Sequence, residues 1–216
     1  MLRVLFLALF LPGPCLAGAW PREAGATYLS YTLTLEDPRD SGRAVGHGAL
    51  FLEYGLTERL TLGIDAGTDD FGKTRLVAFA VLPLSPASGA TKVSAEIGLG
   101  QVDGRAVVRP GLSVGRGFAL FGRQGWISLD STVALQIDAG KSTIETDLTF
   151  GIGVAARSRF ILQLQQGGPF DDSDYLRLVP SMVFERGPGR HLEIGVTAGL
   201  KSAADAGLKV AVWREF

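Results

Sequence analysis

The chain has 216 residues, with 21 basic and 22 acidic side chains, two histidines and a single cysteine, for a net charge of −1. So even a balance leaves no basic footprint for nucleic acid, and one cysteine excludes an internal disulfide or a thiolate metal cluster. No segment reaches the ~20 consecutive apolar residues that a spanning helix requires, and the length fits a single domain.

At the start, Met1-Leu2-Arg3 supplies a positive charge, Val4 to Leu11 is an uninterrupted apolar run, and Pro12-Gly13-Pro14 ends it before a stretch of small residues. This order predicts a secretory signal peptide over residues 1–19. Two cut sites fit: after Ala19, reading Ala17-Gly18-Ala19 as A-x-A, and after Ala17, following Cys15-Leu16-Ala17. Pro14 before Cys15 does not fit a lipoprotein signal. Removal takes away Arg3 and Cys15, leaving 20 basic against 22 acidic groups, a net charge of −2 and no thiol.

From residue 20 to 216, segments of about ten residues alternate in polarity and are separated by Gly, Asp, Pro and Ser, with 29 glycines in the chain. A period of two is a strand with two unlike faces, and its recurrence is the pattern of an antiparallel, up-and-down transmembrane β-barrel. About twelve strands are predicted, near Thr27–Leu35, Gly48–Leu56, Leu60–Thr68, Lys73–Pro83, Lys92–Gly100, Arg105–Gly115, Gly125–Ile137, Thr143–Ala155, Arg159–Gln166, Asp174–Glu185, Arg190–Leu200 and Gly207–Phe216. Ten remain open, because Gly115–Gly125 reads as a long turn or as strand. The predicted inner turns include Thr57-Glu58-Arg59 and Arg116–Gln124. The predicted outer loops are short, and two are acidic: Glu36-Asp37-Pro38-Arg39-Asp40 and Phe170-Asp171-Asp172-Ser173-Asp174.

Parity within each strand separates lipid from lumen. Leu50, Leu52, Tyr54 and Leu56 share one face, leaving Phe51 and Glu53 on the other; Ile127, Leu129, Val133 and Leu135 leave Ser128, Asp130, Thr132 and Gln136. The predicted lumen-lining charges are Glu53, Asp65, Arg75, Glu96, Arg109, Asp130, Glu145, Asp147, Arg177 and Glu193, with Lys209 as a further inward base. Confinement to one face is expected, since a lipid-facing Arg or Lys at mid-depth costs about 2–4 kcal/mol. The aromatic residues Trp20, Tyr28, Tyr54, Trp126, Tyr175 and Trp213 fall near strand ends and are candidates for interfacial girdles where they point outward.

The last strand, Leu208-Lys209-Val210-Ala211-Val212-Trp213-Arg214-Glu215-Phe216, resembles the final strand of bacterial outer-membrane β-barrels, in which a terminal aromatic after alternating apolar residues is read by the assembly machinery. Phe216 is the assembly signal that this resemblance implies, and a Gram-negative outer membrane is the implied location, with its lipids, lipopolysaccharide and barrel-assembly machinery as partners. The hairpin Glu53-Tyr54-Gly55-Leu56-Thr57-Glu58-Arg59-Leu60-Thr61-Leu62-Gly63 is similar to one common in proteobacterial outer-membrane proteins, including transport proteins linked to aromatic-compound degradation.

Chemistry-bearing motifs are sparse. His47 and His191 are the only imidazoles, and neither stands beside a recognisable nucleophile motif, so no catalytic residue, cofactor or metal is expected. Gly98-Leu99-Gly100 and Gly151-Ile152-Gly153 lack the strand–helix context of nucleotide sites and instead make room in the lumen. Inward acids outnumber inward bases, so the expected function is a small channel for passive diffusion of small polar or cationic solutes. A structural barrel closed by ion pairs is the alternative, and an outer-membrane lipid-modifying hydrolase the third. The size resembles twelve-stranded channels for acidic oligosaccharides; those line their pores with arginine, from which this acidic lumen departs.

Overall fold

A computed structural model describes residues 18–37, 43–138, 142–169 and 175–216. Most of the predicted signal peptide, the residues before 18 including the bond after Ala17, and the acidic segments at 38–42 and 170–174 lie outside the described residues. Twelve strands form one closed antiparallel barrel: β1 (Thr27–Asp37), β2 (Val45–Thr57), β3 (Leu60–Asp69), β4 (Thr74–Pro83), β5 (Thr91–Val102), β6 (Arg105–Leu120), β7 (Arg123–Gln136), β8 (Ser142–Ala155), β9 (Ser158–Pro169), β10 (Tyr175–Gly187), β11 (Arg190–Lys201) and β12 (Ala206–Glu215). Each strand pairs with its chain neighbours, and β1 closes on β12. Closure runs to the last residue: Thr27 N donates to Phe216 O at 3.2 Å, and Phe216 N donates to Thr27 O at 3.0 Å. The strand count settles at twelve.

The expected nine-residue turn at Arg116–Gln124 is instead strand. Arg116 pairs with Ile127 and Leu120 with Arg123, so only Phe121 and Gly122 turn the chain. Both have positive φ, 50° and 74°, as a two-residue hairpin of the primed type requires. Asp103-Gly104 makes the corresponding turn at the opposite end, with φ of 51° and 73°. One end of the barrel therefore carries both termini and the connections β2–β3, β4–β5, β6–β7, β8–β9 and β10–β11. The other carries the remaining loops. These are called the turn end and the loop end.

The apolar rows face outward. Leu33 is 50% exposed, Leu99 63% and Leu208 61%, and comparable residues on the other strands continue the band. The charged rows face inward, where Glu53, Arg109 and Glu193 are buried. This inversion decides against a soluble sandwich or lipocalin-like barrel, whose apolar face would be inside. Ten residues at about 3.3 Å each, tilted by about 40°, give a wall of about 25 Å, the height of an apolar outer-membrane band. The polar Ser131 and Thr146, both on the outward face, hydrogen-bond each other at 2.9 Å, which removes most of the cost of facing lipid.

Most of the six aromatic candidates for an interfacial girdle do not face outward. Tyr54 points outward, but Tyr28 and Trp126 are buried inside. Trp20 and Trp213 pack inward against Trp126, Ile161 and Val183. The turn-end half of the interior is thus an aromatic layer, continued by Tyr28 edge-on to Phe51 and Phe51 stacked on Phe79 at 5.4 Å. Glycine on the facing strand makes this possible: a Cβ on Gly151 would lie 2.3 Å from the Trp126 ring.

Candidate functional site: a charged vestibule with a closed base

Above the aromatic layer lies a cavity of about 690 Å³. Its lining runs from Asp69, Lys73 and Asp103 at the loop end to Gly18, Tyr28, Trp126 and Trp213 on the turn-end side. It is a vestibule with a floor. Of the ten expected lumen residues, Asp65, Arg75, Glu96, Arg109, Asp130, Glu145, Asp147, Arg177 and Glu193 line it, as does Lys209. Glu53 does not; it is buried below, at the level of the floor.

Two ion-pair networks organise the wall. In the first, Arg109 on β6 is 4% exposed and lies between two acids. Its Nη1 reaches Asp65 Oδ2, and its Nε and Nη2 reach Glu96 Oε1 at 3.0 and 2.9 Å. Asp65 also accepts from Arg75 Nε at 3.0 Å, and Arg75 Nη1 approaches Glu145 at 3.4 Å. The last contact spans the lumen, because Arg75 is on β4 and Glu145 on β8. In the second, Arg177 Nη1 on β10 meets Glu36 Oε1 on β1 at 2.6 Å while its Nε donates to Gln165 Oε1 at 2.8 Å. His47 Nε2 lies 3.4 Å from the other Glu36 oxygen. Lower down, Lys209 Nζ and Ser181 Oγ both donate to Glu193, at 2.9 and 2.7 Å.

The floor is a segment that strand periodicity does not reveal. Residues 18–26 precede β1 and fold into the barrel at the turn end. Arg22 Nε donates to Glu53 Oε2 at 2.8 Å, Arg22 N donates to Thr61 Oγ1 at 2.9 Å, and the guanidinium lies 4.4 Å above the Tyr28 ring. Gly25 N and Gly55 N donate to Gly55 O and Ala26 O, holding the segment against β2 as an added backbone ladder. Ala19 is buried. A Cβ on Gly115 of β6 would come within 2.2 Å of Trp20, so the indole needs a glycine wall there. The glycines on the inward parity of the turn-end half were the one available signal.

Asp130 and Asp147 stand apart from both networks. They face each other across the β7–β8 ladder. Ser128 Oγ donates to Asp130 Oδ2 at 3.0 Å, but Asp130 Oδ1 is buried with no hydrogen-bond partner. Among the described residues no basic side chain forms an ion pair with either acid. The vestibule therefore carries a local surplus of acidic side chains beside its floor.

No family model matches the chain, and no curated protein matches it in sequence. Solved structures match its fold. An outer membrane channel from Pseudomonas putida F1 superposes with a TM-score of 0.61 at 13% identity, covering 93% of this chain and 99% of that one. The KdgM porin does so with a TM-score of 0.62 at 8% identity over 88% of this chain and 99% of its own. The β domain of the Bordetella autotransporter BrkA reaches 0.54 at 13% identity, covering 90% and 100%. At these identities the likeness is one of fold, and the fold is that of outer-membrane β-barrels.

Proposed function

We propose that this protein is a small outer-membrane channel for passive diffusion of small polar or cationic solutes, closed at rest by the segment 18–26. The observation that carries the reading is the vestibule itself: a charged cavity inside a barrel whose outer face is a continuous apolar band. Two of the fold neighbours are described as a channel and a porin, and KdgM also as a complex with disordered oligogalacturonate. An acidic sugar suits this lumen poorly. Acids outnumber bases on the vestibule wall, and fixed charge in a narrow pore selects the opposite sign.

In this reading the turn end faces the periplasm, Phe216 is the residue the assembly machinery reads, and the apolar band contacts lipid and lipopolysaccharide. Solutes enter at the loop end, meet the ion-pair wall and cross when the floor shifts. The test is single-channel recording of the refolded mature protein in a planar bilayer under a salt gradient. Infrequent, cation-selective openings are expected, and deleting residues 18–26 should make them persistent. A correctly folded barrel that stays electrically silent in both forms refutes the channel. That result would favour the second reading, a structural barrel, which draws support from the lumen-spanning pairs Arg75–Glu145 and Arg177–Glu36.

A further inference from the structure

The unpartnered oxygen of Asp130 has a neighbour that sequence pattern alone does not disclose. An ideal Cβ built on Gly18 falls 1.8 Å from Asp130 Oδ1 and 3.0 Å from Ser113 Oγ. Nitrogen and Cβ on one tetrahedral carbon are about 2.5 Å apart, so the Gly18 nitrogen lies within roughly 4.3 Å of that carboxylate oxygen. The placement is held: Ser94 Oγ, on a buried residue, donates to Gly18 O at 2.7 Å. Gly18 has φ +73°, and any side chain there would collide with Asp130. A buried carboxylate oxygen without a donor is costly, and Asp147 opposite adds a second negative charge.

We infer that export processing cuts between Ala17 and Gly18, and that the new α-ammonium group of Gly18 is the cationic partner of Asp130. Hydrolysis of that bond adds water: the hydroxyl goes to the Ala17 carbonyl, which leaves as a carboxylate, and the amine stays on Gly18 as an ammonium. Three donor hydrogens then sit within about 4–5 Å of Asp130 Oδ1, with Asp147 opposite Asp130 across the β7–β8 ladder. The competing cut after Ala19 fits less well. It removes the carbonyl that Ser94 binds, removes the buried Ala19, and leaves Asp130 Oδ1 orphaned. Cleavage after Ala17 thus makes the ligand that pins the floor. The far end of the same segment is pinned by Arg22 on Glu53, so two ion pairs would anchor residues 18–26.

The inference does not depend on conduction, and its test does not read it. The protein is purified from outer membranes, and its intact mass and N-terminal sequence are determined. A start at Gly18 is expected; a start at Trp20 overturns the assignment. The folded protein is then treated near neutral pH with an amine-acylating reagent, and labelling of the N-terminal peptide is followed by mass spectrometry. The α-amine should react at least about tenfold more slowly in the folded barrel than in the urea-unfolded chain. Asp130→Asn should restore much of that reactivity, and Asp147→Asn less of it, each in a barrel that retains its heat-modifiable mobility. Equal labelling of folded and unfolded wild type, or unchanged protection when both variants fold, overturns the seat.

Discussion

Arg109 offers the sharpest test of whether the lumen is held together by its ion pairs. The guanidinium bonds Asp65 on one side and Glu96 on the other and lies 5.6 Å above the Phe79 ring. Arg109→Ala leaves Glu96 without a cation, whereas Asp65 keeps Arg75. Removing one partner of a buried pair costs about 3–5 kcal/mol, most of it the penalty of the charge left behind. Here one of two acids stays paired, and the vestibule solvates the other in part, since the Glu96 side chain is 17% exposed. The expected loss is therefore at the low end, about 3 kcal/mol, or roughly a hundredfold in the unfolding equilibrium. Reversible unfolding in lipid vesicles, followed by the fluorescence of the inward Trp20, Trp126 and Trp213, measures it. Adding Glu96→Gln to Arg109→Ala should recover about 1–2 kcal/mol, because the orphaned charge is gone. If Arg109→Ala lies within about 1 kcal/mol of wild type and the double variant is no better, Arg109 is a solvated wall residue and the network does not hold the lumen.

Lys209→Met should also destabilise, by about 3 kcal/mol in the same assay, because it leaves Glu193, 2% exposed, with only neutral donors. Arg75→Ala should behave differently. Asp65 keeps Arg109 when Arg75 is lost, and the contact with Glu145 joins partly exposed groups, so the change in stability should stay below about 1 kcal/mol while conductance rises with the lumen-spanning link removed. Asp147→Asn should leave conductance nearly unchanged and move the reversal potential under a salt gradient toward zero, since it removes an acid of the vestibule wall that forms no ion pair with a described base. Gly115→Val should push Trp20 from its seat, and the measurement is an increase in open probability in planar bilayers with the barrel still closed and heat-modifiable.

Which face each residue occupies was legible from parity, because lipid and lumen impose opposite demands on successive residues. Leu192, Glu193 and Ile194 alternate out, in and out as their polarity requires. Partners were not legible. Whether Arg75 finds Asp65 on the next strand or Glu145 across the lumen depends on the circumference and stagger of the closed wall, and no local window contains either. The strand at Gly115–Gly125 was obscured by its composition. Arg116, Phe118 and Leu120 do alternate with Gly115, Gly117 and Ala119, but dense glycine reads as turn. The strand holds because the Phe118 ring covers Gly125, at 2.6 Å from where its Cβ would be, and stacks on Phe150 at 5.5 Å. A glycine shielded in this way keeps its place in a sheet. The floor was hidden for a different reason: residues 18–26 lie outside the strands, have no period, and take their position from aromatic, ionic and hydrogen-bond contacts made by strands all round the wall.

Barrel arithmetic explains why such a floor is needed. Twelve strands at about 4.8 Å spacing and a tilt of about 40° give a backbone radius of about 12 Å. Inward side chains reach about 6 Å from the wall, which fills an eight-stranded barrel but leaves a hole of about 6 Å radius here. At the loop end the hole is kept as the vestibule and crossed at two points by arginine–glutamate pairs. At the turn end it is filled, and the chain draws the filling from its own beginning. Aromatic side chains and glycine walls close the gap around Trp20, while Arg22 pairs with Glu53 and Gly18 lies against Asp130. Ion pairs beside a polar vestibule are exchangeable in a way that a packed apolar core is not. Closure by a tethered segment, held by a few ionic contacts beneath a polar cavity, is the arrangement expected of a gate; a barrel with only a structural task could close the same gap with larger inward side chains.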